Sequence, residues 1–89
     1  MKYHLEMTEH ARKQLKKLDV YVQKMILLWL DKNINGTQNP RSVGKALSAD
    51  RAGQWRYRIG DYRVIVLIKD DKLVVLAIAV GLRKNIYEN

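Results

Sequence analysis

The chain has 89 residues, of which 47% are hydrophobic and none is cysteine, and its formal net charge is +8. That length supports one small core, and the missing cysteines exclude a disulfide framework and a thiolate metal site. The positive charge directs attention to polyanionic partners, either nucleic acid or an acidic protein segment.

The N-terminus, Met1-Lys2-Tyr3-His4-Leu5-Glu6, is polar and lacks the apolar core of a signal peptide. The longest apolar run, Leu73 to Val80, falls short of a membrane span and fits a buried strand. A cytoplasmic protein with no membrane partner is expected, folded as one domain over residues 1–89.

Lys2 to Glu6 reads as a first strand, with Tyr3 and Leu5 on one face. Thr8 is placed to cap a helix, with Glu9 in its first turn. Ala11, Leu15 and Leu18 recur at helical spacing, and Arg12, Lys13, Lys16 and Lys17 occupy the remaining positions. Asp19 is placed to cap a second helix running to about Asn33. Its apolar residues, Val22, Met25, Ile26, Leu28, Trp29 and Leu30, span a wide arc. Such an arc suits a helix packed against both the first helix and a sheet. Asn35 to Pro40 has the composition of a loop. Arg41 to Ala49 reads as irregular chain or as containing a short turn of helix, with Leu47 as its anchor.

The second half alternates. In Gln54–Gly60, Trp55, Tyr57 and Ile59 take one face and Arg56 and Arg58 the other. Gly60-Asp61 suits a two-residue turn of type II′, with glycine at its first central position. Tyr62–Lys69 then returns, which sets Ile59 opposite Tyr62 and Arg58 opposite Arg63. Opposed residues share a face with their Cβ atoms roughly 4.5–5.5 Å apart. Arg56, Arg58 and Arg63 therefore gather on one face, and arginine keeps its charge. Asp70-Asp71 reads as a second two-residue turn, followed by a last strand over Lys72–Val80. On that register Leu73, Val75, Ala77 and Ala79 join the core face. Ile65, Leu67, Leu76 and Ile78 lie among the basic residues of the other face, an apolar patch that a partner or the C-terminal segment would cover. A break near Gly81 is needed to bring Arg83 to the basic face. The expected fold is α+β: an N-terminal strand, an αα-hairpin, then an antiparallel β-meander packed on the helices.

His4 and His10 lack further ligands at metal-binding spacing and read as surface residues. Gly53, Gly60 and Gly81 are isolated and do not make a phosphate loop. Ser42 and Ser48 have no His/Asp pairing for a serine-type triad. What remains for chemistry is Arg56, Arg58, Arg63, Arg83 and Tyr87. Aromatic side chains beside cations add stacking to charge. Trp55 and Tyr57 read as core, so Tyr87 is the aromatic free to stack.

The residues Asn39-Pro40, Lys45-Ala46-Leu47, Trp55-Arg56-Tyr57-Arg58-Ile59-Gly60-Asp61-Tyr62-Arg63 and Val80-Gly81-Leu82-Arg83-Lys84-Asn85-Ile86-Tyr87 resemble the RelE/ParE toxin superfamily over essentially the whole chain. The closing Gly-x-Arg…Tyr resembles the RelE branch. That resemblance implies a type II toxin that enters the ribosomal A site and cleaves mRNA without a metal or other cofactor. The ribose 2′-OH would attack the adjacent phosphate, leaving a 2′,3′-cyclic phosphate and a 5′-OH. It further implies that Arg56 and Arg58, with Lys45 and Lys84, contact the RNA, and that Arg63 stabilises the transition-state phosphate. Arg83 would assist the leaving 5′-oxygen and Tyr87 would orient the substrate. The implied partners are the ribosome with its mRNA and a cognate antitoxin, whose acidic helical segment would form a toxin–antitoxin hetero-oligomer. Relatives often carry lysine at the Arg56 or Arg58 position and histidine or lysine where Leu82 stands, so catalysis here would lean on positioning and charge. The same fold also accommodates a ParE-like gyrase inhibitor, or a basic module that only holds an acidic segment.

Overall fold

Both helices begin where a side chain can accept a backbone N–H. In the computed structural model, which describes residues 1–47 and 53–82, the Thr8 hydroxyl accepts from the Ala11 amide at 3.1 Å. It caps α1 (Glu9–Lys16), and Asp19 caps α2 (Val20–Asn33) by accepting from the Tyr21 amide at 3.0 Å. The Gln23 side-chain amide donates to the Leu18 carbonyl at 2.8 Å, which occupies an acceptor at the end of α1. No described helix is long and apolar enough to cross a membrane.

Five strands form one mixed sheet: β1 (His4–Met7), β2 (Lys45–Ala46), β3 (Gln54–Ile59), β4 (Tyr62–Lys69) and β5 (Val74–Leu82). Their spatial order is β1-β5-β4-β3-β2. The β2–β5 run is antiparallel, as alternation predicts, but β1 pairs parallel with β5 and completes the sheet at its far edge. Within the stretch expected to be irregular or to contain a turn of helix, residues 45 and 46 form a short edge strand on β3.

The β3–β4 hairpin has the expected register, with Ile59 opposite Tyr62 and Arg58 opposite Arg63. Gly60 at φ +62° supplies the positive φ that the first position of a type II′ turn requires. The next connection is longer than expected. Lys69 pairs with Val74, so four residues, Asp70 to Leu73, make the turn, and Leu73 sits in it at φ +54°. Two added residues preserve the alternation, and Val75 and Ala77 reach the core as expected. Leu73 itself does not.

The alternation breaks at Ile78, not near Gly81. Val66 pairs with Ala77 and Ile65 with Ala79, which leaves Ile78 as the extra residue of a bulge. Beyond it Val80, not Ala79, faces the core and is 2% exposed. The bulge lies where β1 stops covering β5, and the Val80 amide donates to Gln14 Oε1 of α1 at 2.7 Å.

The core lies between the helices and one sheet face: Ala11, Leu15, Ile26 and Leu30 meet Tyr57, Ile59, Val64, Val66, Val75, Ala77 and Val80. The apolar arc of α2 is only partly used, for Leu28 is 69% exposed and Tyr21 74%. On the opposite sheet face Ile65 is buried and Leu67, Leu76 and Ile78 are half-buried.

The loop between α2 and β2 is clamped to the sheet. Arg41 makes a two-pronged contact to the Asp70 carboxylate, both bonds 3.0 Å, and the Tyr3 hydroxyl donates to the same group at 2.6 Å. The Arg41 guanidinium, seconded by Tyr3, pulls the Asp70 pKa from 3.8 to about 2. Because folding lowers this pKa, the clamp contributes fully above the unfolded-chain value and fades as pH falls towards 2. The stability difference between wild type and Asp70→Asn is therefore expected to be constant from neutrality to about pH 5. It is expected to close between about pH 4 and pH 2, read as urea midpoints across that range.

Candidate phosphate-binding cleft

The hairpin register fixes more than the arginine pair. Arg58 stands opposite Arg63 across β3–β4, and Arg56 stands opposite Lys45 across β3–β2. Arg56 and Arg58 are two apart on one strand, so all four cations occupy adjacent positions on one sheet face. Like charges directly opposed are destabilising in a sheet. Two such pairs side by side concentrate positive charge on this face.

These four line a concavity of about 290 Å³. Their depths differ: Arg63 is only 5% exposed, Arg56 is half-buried, and Arg58 and Lys45 are open to solvent. The site therefore has a buried arginine at its floor and two exposed cations at its rim. A buried donor with exposed outer charges suits a phosphate that enters from solvent.

Among the described residues, Trp29, Val43 and Gly44 also line it. β2 covers β3 only at Trp55 and Arg56, so β3 beyond Arg56 is an edge in the described sheet, and the cleft opens there. Val43 and Gly44 are held by side chains of β3. The Trp55 indole donates to the Val43 carbonyl at 2.7 Å, and the Tyr57 hydroxyl donates to the Pro40 carbonyl at 2.6 Å. Burial pushes the Tyr57 phenol up to about 12, against the nearby Arg41 charge, so it remains a donor at neutral pH. Gly44, at φ +83°, lies so close to β3 that a Cβ would fall on the Arg56 carbonyl oxygen and 2.9 Å from Tyr57 Cδ1.

Of the residues expected in the site, Arg56, Arg58, Arg63 and Lys45 come together in this cleft. Arg83, Lys84 and Tyr87 lie outside the described residues. His4 is exposed on β1, at the opposite edge of the sheet, and His10 is exposed on α1. Trp29, Val43 and Gly44 escaped the sequence reading. Trp29 was counted in the buried arc of α2, yet it is half-buried at the margin of the Ile26–Leu30 stripe. Trp29 also borders a second, more apolar concavity of about 640 Å³ along α2, with Tyr21, Met25 and Leu28 and the cations Lys24 and Lys32.

The toxin of the RelBE2 toxin–antitoxin complex of Mycobacterium tuberculosis is similar, at 27% identity and a TM-score of 0.81, over 96% of this chain and 95% of that one. A free RelE of E. coli carrying two arginine-to-alanine mutations is similar at 26% identity and a TM-score of 0.73, over 92% of this chain and 84% of that one. The archaeal RelE–RelB complex of Pyrococcus horikoshii shares the fold at 24% identity and a TM-score of 0.72, over 96% and 99%. No curated protein matches the sequence. The family described as the ParE toxin of the type II toxin–antitoxin system parDE matches residues 5–87. With that match over nearly its full length, and with RelE toxins as structural neighbours, the chain belongs to the ParE toxin family, within the RelE/ParE superfamily of type II toxins.

Proposed function

We propose that this toxin is a ribosome-dependent endoribonuclease that cuts mRNA in the A site. The observation that carries the reading is the convergence of Lys45, Arg56, Arg58 and Arg63 on one cleft. The scissile phosphate would sit there. A ribose 2′-OH attacks the adjacent phosphorus and gives up its proton, the P–O5′ bond breaks, and the 5′-oxygen takes a proton. Negative charge grows on the non-bridging oxygens in the transition state, and guanidinium groups gathered around that point would stabilise it. Arg63, fixed by burial, takes this role, while Arg56, Arg58 and Lys45 hold the flanking backbone. Arg83 and Tyr87 are proposed to complete the site, with Arg83 towards the leaving oxygen, Tyr87 on the nucleotide and Lys84 on the RNA backbone. The net charge of +8 speeds approach to the ribosome.

The partner that restrains it is proposed to be an antitoxin with an acidic helical segment, forming a hetero-oligomer in the cytoplasm. RelE toxins of similar structure are seen with their antitoxins. A second reading, inhibition of DNA gyrase without cleavage, is favoured by the ParE family match over residues 5–87. Primer extension on mRNA translated in the presence of the purified chain separates the two. Cuts within the A-site codon that vanish when translation is blocked are expected. Uncut mRNA together with lost supercoiling by purified gyrase would establish the second reading.

A further inference from the structure

Charge alone does not distinguish one polyanion from another. Lys45, Arg58 and their neighbours would accept inorganic phosphate, an acidic peptide or a nucleic acid strand. The feature of the cleft that does discriminate is its aromatic wall. Trp29 approaches from α2, on the core side, and meets the cations at the open edge of β3.

The ring is held in place. It lies 5.6 Å from the Tyr57 ring, centroid to centroid, and tilted by 47°. Tyr57 is fully buried and anchored through its hydroxyl to the Pro40 carbonyl. Trp29 is thus braced on one side by a buried aromatic, while it is itself only partly buried and lines the cleft. A fixed indole beside several cations is the pairing that accepts a base and its phosphate together. A space of about 290 Å³ suits a single small ligand unit better than a peptide segment.

We propose that the Trp29 indole is the platform on which a nucleobase packs when its phosphate lies among Lys45, Arg56, Arg58 and Arg63. This inference rests on the nucleic-acid reading above and adds to it the element that selects an aromatic-bearing polyanion. Every base has a π-face, so the platform tightens binding to single-stranded RNA with little preference among bases.

The test compares a short single-stranded oligoribonucleotide with inorganic polyphosphate, which carries the charge without the bases. Trp29→Leu keeps apolar bulk against Tyr57 and removes the indole. It is expected to weaken oligoribonucleotide binding by about fivefold or more, the lower end for one base on an aromatic ring. Polyphosphate binding should be unchanged, and Trp29→Tyr should restore most of the loss. Equal weakening of both ligands, or of neither, overturns the proposal. Should Trp29→Leu fail to fold, the Trp55→Phe chain leaves Trp29 as the fluorophore. Its emission should be quenched by the oligoribonucleotide and not by polyphosphate, and equal responses would again overturn the proposal. Arg58→Ala, run in parallel, should weaken both ligands. If it weakens neither, the cleft itself is not the anion site, whatever Trp29 does.

Discussion

Arg58→Ala is expected to lower the rate of A-site cleavage by about 100-fold, the scale for a substrate backbone displaced by about an ångström from its positioned geometry, while leaving the melting temperature unchanged or slightly raised. The opposite directions follow from the hairpin. Arg58 is exposed and stands across from Arg63, so its removal relieves a like-charge pair and opens no cavity. A residue held only for solubility would show neither effect. Arg63 makes a poorer probe, because at 5% exposure its replacement by alanine removes packing as well as charge. Arg63→Lys keeps a charge at the floor and loses the planar fork, so it should fall between wild type and Arg63→Ala in stability and reduce cleavage substantially. Primer extension with matched amounts of folded protein, alongside thermal melts, checks the set. Full cleavage by Arg58→Ala would remove the cleft from the mechanism.

Much of the architecture was legible because it rests on local signals. Thr8 and Asp19 announce two helices through caps that act within a few residues. Gly60-Asp61 announces a hairpin and its register, and the register alone places Arg58 opposite Arg63. What failed is governed by distant partners. The Asp70–Leu73 turn is longer than its sequence suggests because Asp70 is engaged by Arg41 and Tyr3, from two other parts of the chain. The bulge at Ile78 sits where β1 ends and Gln14 takes over the Val80 amide, a condition invisible in the sequence of a nine-residue strand. The parallel pairing of β1 with β5 joins the two ends of the described sequence, and no local pattern encodes it.

The site divides in the same way. Arg56, Arg58 and Arg63 were found because alternation and one turn place them together. Lys45 joined them only through the resemblance, since a two-residue strand has too little pattern to read. Trp29 could not be separated from the core by periodicity. It lies beside the Ile26–Leu30 stripe, and only the packed structure shows that it lines a cleft with residues of β3 and β4. Gly44 carried a faint signal, a glycine just before a lysine-led strand, whose meaning appears once β3 is packed against it.

That packing leads to the largest stability effect expected in the chain. Gly44→Ala faces two independent costs. At φ +83° a Cβ is strained wherever it points, and here it points into β3, 2.6 Å from the Trp55 indole nitrogen and 2.9 Å from Tyr57. Neither neighbour can yield freely, because the Trp55 indole is bonded to Val43 and the Tyr57 hydroxyl to Pro40. Backbone strain and overpacking together amount to about 3 kcal/mol, which in a domain of this size lowers the melting temperature by about 10–25 °C. Gly36→Ala supplies the control. Gly36 has nearly the same φ, +85°, with nothing within 4 Å of the added carbon, so it carries the strain without the clash. Its loss should be about 1 kcal/mol. If the two variants melt together, the close approach of Gly44 to β3 is wrong, and with it the wall that Val43 and Gly44 give the cleft. If Gly44→Ala melts far lower, the surviving folded fraction should also cleave poorly. The alanine displaces the Arg56 backbone, and a shift of about an ångström at a positioned charge is enough to lower a rate by two orders of magnitude.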